Sequence, residues 1–264
     1  MNIANKYSKT IISKYDLIPV YLPGTDVQPG HIIDFGSSIF GANKPIGSFS
    51  IYDHLSGYHG IDINVVESKT KQTFNLVSSK EVTVSPTISG QFPGVADGDI
   101  KFDFASQGSF ILFGINGVES RIDNLFSLRD KLRDIADKED WSKYYIVTSV
   151  TICKKALIYA AQEKGGTLII SANTKDMGIL GDQLTGVSAD ISIDVKWKNK
   201  AAFSTDWEDD IAVLMKLARF KKGEIKVYDK MIDLKAGKSS GNNAANEIGL
   251  ENIDPQSLLK DIEA

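Results

Sequence analysis

Residues 186–197, GVSADISIDVKW, put Val187, Ala189, Ile191, Ile193, Val195 and Trp197 at alternate positions. Ser188, Asp190, Ser192, Asp194 and Lys196 lie between them. Side chains alternate across a strand with a period of two, so the spacing predicts a strand with one apolar and one polar face. Its length sets it apart. Strands typically run about five or six residues, whereas a bilayer-crossing strand needs about nine to eleven with this same alternation.

Alternation recurs along the chain. Ile61, Ile63 and Val65 flank Asp62 and Asn64, Val82 and Val84 flank Thr83, and Ile100, Phe102 and Phe104 flank Lys101 and Asp103. Pro29-Gly30 marks a turn before a strand from His31 to Phe35. The apolar run Phe110 to Phe113 predicts a strand buried on both faces. YYIVTSVTICKKALIYAA, residues 144–161, is rich in β-branched and aromatic residues and predicts a second long strand. Gly165-Gly166 reads as a turn from which TLIISAN returns, residues 174–186 as a loop, and GEIKVYD as a further strand; IAVLMKLARF reads as a strand beside it, with a helix nearly as well supported by its spacing. Two segments carry helical spacing instead. Ile3, Tyr7 and Ile11 recur every four residues, and Pro19 and Pro23 prevent that helix from continuing. In ESRIDNLFSLRDKLRDIADKEDW, Ile122, Leu125, Phe126, Leu132, Ile135 and Ala136 fall on one face. Near the end, AGKSSGNNAANEIG (residues 236–249) has linker composition. DPQSLLKDIEA follows, with Pro255 suited to a first helical position. The predicted fold is α+β: a twisted, mainly antiparallel sheet with a few flanking helices and a short C-terminal tail, which either docks on the body through its apolar edge or ends as a frayed peptide.

Composition narrows the function. Hydrophobic content of 42% over 264 residues suffices for a packed core. A net charge of −4 argues against a general nucleic-acid binder. One cysteine, Cys153, allows no intrachain disulfide and fits a reducing compartment. Lys6, Lys9 and Lys14 interrupt any signal-peptide-like run at the start. No stretch reaches the roughly 18 apolar residues of a membrane helix. A membrane would be met by the surface, by lipidation or by strands closed into a barrel.

Candidate chemistry is sparse. His54 and His59 sit near each other in YDHLSGYHG, where local hydrogen bonding is the simpler role and a metal pair the sharper one. Cys153 has Lys154 and Lys155 beside it, which would favour a thiolate, but it lies mid-strand, where cysteine packs as a small hydrophobe. GQFPGVADGD lacks the lysine of a phosphate loop. Asp97 and Asp99, and Glu208, Asp209 and Asp210, fall in loop-like stretches and read as solvated charge, with calcium at Glu208-Asp209-Asp210 the weaker alternative. No catalytic constellation, cofactor or metal is expected.

Order and spacing then resemble a known family. KYSKTIISKYDLIPVYLPGTDVQPGHIIDF resembles the opening of the gasdermins, with Asp16, Leu17, Ile18, Pro19 and Val20 matching a D-L-I-P-V segment and Gln28 and Pro29 matching a Q-P pair before a strand. FSLRDKLRDIADKEDWSKYYIVTSV is similar to the gasdermin helix leading into a Y-V-V-T-E-V strand, here Tyr145 to Val150. These matches cover about a fifth of the chain.

The resemblance implies a pore-forming cell-death effector of the bacterial type, acting in antiphage defence. Residues 1–234 would form the pore-forming domain, and residues 235–264 a linker and inhibitory peptide. An activating protease would cut near Lys235, Lys238 or Asn243 and remove the plug formed by Leu258, Leu259 and Ile262. Lys6, Lys9 and Lys14 would contact anionic lipid. The protein would be cytoplasmic when inactive, and would assemble as a homo-oligomeric barrel in the inner membrane when activated. Strands near 61–66, 99–105, 146–160 and 187–197 would supply the hairpins. The chain departs from the bacterial pattern in having no cysteine near its start to carry an acyl chain, so lipid-assisted inhibition is not expected. Two other classes stay open: a soluble β-rich binding or structural subunit, and an enzyme built on Cys153 or on His54 and His59.

Overall fold

The structure, a computed structural model, describes residues 3–35, 49–58, 60–78, 81–86, 99–125, 127–128, 131–132, 144–172, 178–180, 183–185, 192–199, 201–222 and 248–256. Ile3–Tyr15 forms helix α1. Its four-residue repeat buries Tyr7, Ile11 and Ile12 completely. The helix closes at Asp16, whose φ of 53° is left-handed and whose N–H donates to Ile12 O at 2.9 Å.

Strands β1 (Ile18–Pro19), β2 (His31–Asp34) and β3 (Ser50–His54) follow, then the short helix α2 (Leu55–Tyr58). Next come β4 (Val65–Glu67), β5 (Gln72–Val77), β6 (Val82–Pro86), β7 (Ile100–Phe104), β8 (Phe110–Ile122) and β9 (Tyr144–Ala161). The chain continues with β10 (Gly166–Ala172), β11 (Gly178–Leu180), β12 (Gln183–Thr185), β13 (Ile193–Lys198), β14 (Ala201–Lys222) and β15 (Ile248–Asn252). The fold is mainly antiparallel β with few helices, as the alternation predicts.

The strands divide between two main sheets. The larger orders β1-β14-β9-β2-β3, with β8 also on β9, β4 and β5 on β8, and β15 on β14. The smaller orders β13-β10-β7-β6. β11 and β12 pair with each other.

The sheets meet face to face. Phe102, Phe104, Leu168 and Ile170 of the smaller sheet share a core with Ile111, Phe113, Leu157 and Tyr159 of the larger. Trp197 stacks on Tyr159 with ring centres 4.0 Å apart. The opposite face of the larger sheet carries α1: Tyr7 meets the ring edges of Phe110 and Phe203 at 4.9 and 5.3 Å. β8 over Phe110–Ile115 and β9 over Ala156–Ala161 lie between these layers, so both faces of these stretches are covered. That is why their sequences read as nearly continuous apolar runs rather than alternating ones.

Several elements differ from the sequence expectation. Glu119 to Ile122 end strand β8 rather than begin a helix; helical backbone starts at Leu125 and includes Ser127, Leu128, Lys131 and Leu132. The predicted helical residues beyond Leu132 lie outside the described residues. Ile61 to Asn64 are irregular, with β4 starting only at Val65. The expected loop over 174–186 contains the β11–β12 hairpin. Glu208, Asp209 and Asp210 lie within strand β14, not a loop. Residues 165–166 do turn the chain, but β10 leaves β9 altogether and joins the other sheet. Ile248 and Gly249, counted as linker, begin β15.

Candidate functional site

The C-terminal segment closes back on the body. β15 pairs antiparallel with the end of β14, from Ala218↔Asn252 to Lys222↔Ile248. Just beyond, Ile253 N–H donates to Leu217 O at 2.8 Å, and the Ile253 side chain packs against the core around Ile18, Val147 and Met215. Asp254 then caps a helical turn: Gln256 N–H donates to its Oδ1 at 3.0 Å, and Pro255 occupies the first position, which needs no N–H. Gln256 Nε2 donates to Ile12 O at 3.3 Å, which ties the segment to the C-terminal end of α1. β1 shares the same edge of β14, through Ile18↔Met215 and Pro19↔Leu214.

A cavity of about 270 Å³ opens beside this junction, lined among others by Asp16, Glu119, Arg121, Ser149, Lys216 and Pro255. Burial alone would raise the Glu119 carboxyl. The Lys216 ammonium, 2.7 Å away, the Ser149 hydroxyl and nearby Arg121 more than offset that and hold it below the ordinary carboxylate value.

Of the lysines of α1, Lys6 is drawn into the body. Lys6 pairs with Glu81 and donates to Ser106 Oγ at 3.3 Å and Gln107 O at 3.4 Å. Ser109 Oγ reaches Glu81 as well, at 3.4 Å. Lys14 is exposed; its Nζ contacts Asn75 O at 3.5 Å and lies 5.8 Å from the centre of the Tyr15 ring. Lys9 is half-buried. Lys6 therefore joins α1 to the start of β6 and the β7–β8 turn instead of standing clear of the protein.

No family model matches the chain, and no curated protein matches it.

The smaller sheet contains the strand singled out by its alternation. Ile193, Val195 and Trp197 lie in β13 and pack on the shared core. Val187, Ala189 and Ile191 lie outside the described residues. β13 pairs with β10, and β6 with β7, so two antiparallel strand pairs sit side by side. Both present apolar residues inward. Polar groups occupy the other face: Lys101 pairs with Asp103 at 2.6 Å, Thr167 donates to Asp103 at 2.9 Å, and Ser171 donates to Asp99 at 2.7 Å. Of the other expected hairpin strands, 146–160 falls in β9, at the centre of the larger sheet, with both faces covered from Ala156 onward.

The remaining candidates resolve as local structure. Ser56 N–H donates to His54 Nδ1 at 3.2 Å, and His54 Nε2 lies 3.1 Å from Pro29 O. His31 meets the His54 ring edge-on at 5.2 Å and accepts from Gln28 N–H at 3.0 Å. His59 and Asp97 lie outside the described residues. Burial pushes the Cys153 thiol up to about 12, so its lysine neighbours do not activate it; Lys155 turns to Asp209 at 2.9 Å. Lys235, Lys238, Asn243, Leu258, Leu259 and Ile262 lie outside the described residues too. Sequence reasoning missed Glu81 as the partner of Lys6, and Ile253 and Gln256 as docking residues. No local pattern marks Glu81, whereas Ile253 stands one residue before the helix signal at Asp254-Pro255.

Proposed function

We propose that this protein is a pore-forming effector of the gasdermin kind, held in water-soluble form by its C-terminal segment. The supporting observation is the smaller sheet. It consists of two antiparallel strand pairs, β6–β7 and β10–β13, each with one apolar and one polar face. As folded, the described strands are short, with five, five, seven and six residues. The chain from Val82 to Phe104, and that from Gly166 to Lys198, each has enough residues for two arms of about nine and a turn. Turned into lipid, the apolar faces now on the larger sheet would meet hydrocarbon, and the polar faces would line a lumen. Closure between copies would satisfy the backbone, which an open sheet in a bilayer does not achieve. Proteolysis between Lys235 and Asn246 would free the docked segment. The cytoplasm and the inner membrane are the compartments this reading assigns.

The test is dye release from anionic vesicles. The protein cut between Lys235 and Asn246 after folding, or shortened to residue 240, should empty them, and the full chain should not. Vesicles that stay sealed at high concentrations of both shortened forms would sink the proposal in favour of a soluble β-rich binding subunit.

A further inference from the structure

The register of three strands accounts for the cavity beside the C-terminal segment. Arg121 of β8 and Lys216 of β14 each stand directly opposite Ser149, on either side of β9. Residues directly opposite each other in an antiparallel pair project to the same face. The three side chains thus form one row, cation, hydroxyl, cation. Neighbouring strands lie about 4.8 Å apart, so the two cationic side chains start about 10 Å from each other. The short, buried Ser149 between them leaves a gap that both long side chains border. Asp16, at the end of α1, and Ile253 and Pro255, in the tail, complete the walls.

Two cations and two carboxylates line this space, so it is electrically balanced. They are not all paired with one another. Lys216 donates to Glu119 at 2.7 Å, and Ser149 bonds the same carboxylate. Among the described residues, the Arg121 guanidinium and the Asp16 carboxylate make no hydrogen bond and no ion pair. One spare charge of each sign therefore lines the same cavity, beside the apolar surface of Leu125, Ile253 and Pro255. An anion alone would leave Asp16 without a partner, and a cation alone would leave Arg121 without one. A molecule that carries both charges pairs each. At about 270 Å³ the cavity falls just below the range of about 300–1,000 Å³ that drug-sized ligands occupy, so its occupant is smaller.

We infer that this cavity binds a small zwitterion, an α-amino acid with an apolar side chain, which in its bound form holds the C-terminal segment to the body. The ligand carboxylate takes the Arg121 fork, and the Lys216 N–H groups not given to Glu119 are further donors to it. The ammonium takes Asp16, and the apolar side chain rests on Leu125, Ile253 and Pro255. Ile253 and Pro255 belong to the tail and the other residues to the body, so the site is complete only when the tail is docked. By linkage, the ligand strengthens docking by the same factor by which docking strengthens its own binding. Neither the site nor its test depends on membrane activity.

Ligand-observed NMR on the full chain tests the site with L-leucine and L-phenylalanine. Two analogues of leucine separate its charges: 4-methylpentanoate lacks the amine, and 3-methylbutylamine lacks the carboxylate. Both amino acids should bind. Each analogue should bind at least about tenfold more weakly than leucine, the worth of one charged hydrogen bond. Arg121→Gln should weaken leucine by the same factor. Asp16→Asn should weaken leucine but not 4-methylpentanoate, a loss of preference that a general loosening of the fold would not produce. Both side chains are exposed, so the two variants should keep the melting temperature of the wild type. Hydrogen exchange reads the link to the tail. Leucine at about ten times its dissociation constant should slow exchange of the β15 amides about tenfold. Four results overturn the inference: no binding of either amino acid, equal binding of leucine by Arg121→Gln, 4-methylpentanoate bound as tightly as leucine, or β15 exchange unchanged with leucine bound.

Discussion

At the residue scale, the His31–His54 pair is the acid-sensitive point. Gln28 N–H donates to His31 Nδ1, which requires that nitrogen to be unprotonated. Burial, then the adjacent His54, depress the His31 pKa below 6.5, and Asp26 only partly opposes them. Asp53, whose carboxylate accepts from His54 N–H, is the other charged group close by. A histidine depressed in the folded state resists a proton that the unfolded chain accepts. Stability is therefore complete above pH 6.5 and falls as pH drops through that value toward the folded pKa. Urea midpoints measured from about pH 8 to about pH 5 should decline for the wild type, and less steeply for His31→Gln. An unchanged slope would clear His31 of the effect. Gly30 belongs to the same turn. Its φ is +96°, and a Cβ there would stand 2.7 Å from His54 Nε2, so glycine is required on both counts.

At the element scale, the tail is held by a few contacts that single changes can weaken. Full burial of an isoleucine is worth about 1.5–3 kcal/mol, and Ile253 is half-buried, so Ile253→Asp should cost docking roughly 1 kcal/mol or more. Hydrogen exchange should then quicken at the amides of Ala218–Lys222 that face the tail, with β8 and β9 unaffected. Equal protection in variant and wild type would mean that the backbone ladder alone holds the segment. Element identity was legible wherever burial was uniform. β9 matched its predicted span because most of 144–161 is buried and its one polar break, Lys154-Lys155, is too short to mislead. β14 was legible only over 211–220. Its earlier half alternates in burial from Phe203 to Glu208, but a bulge between Thr205 and Glu208, positive φ at Trp207 and Asp210, and the three consecutive exposed carboxylates Glu208 to Asp210 break the pattern. The end of β8 was hidden for another reason: Ile122 and Leu125 have helical spacing, yet Ile122 belongs to a strand and only Leu125 to the helical backbone that follows.

At the scale of the whole molecule, the arrangement of layers decides which parts can move. No sequence pattern assigned strands to sheets, because the turn at Gly165 looks like a hairpin while the register joins β10 to β7 and β13. On the proposed function, the layering would make the smaller sheet the part that leaves and β9 the centre that stays. Tryptophan emission can follow the separation. With Trp197 as the sole tryptophan, acyl-chain-brominated lipids should quench the cut protein and not the full chain, because Trp197 would exchange Tyr159 for lipid. With Trp207 as the sole tryptophan, on the larger sheet's side of the same core, separation should uncover the ring and shift its emission to the red, with less quenching than at Trp197 because Trp207 stays with the body. Matching quenching of the two would show that the sheets do not part. The register of the final strand has a consequence for timing. Ile248 sits directly across from Lys222, so a cut anywhere between them breaks none of the ladder that joins the tail to the body. Scission would convert a tethered contact into an ordinary dissociable complex. On the proposed function, onset would then be set by an off-rate and by dilution, a delay that cleavage alone would not control.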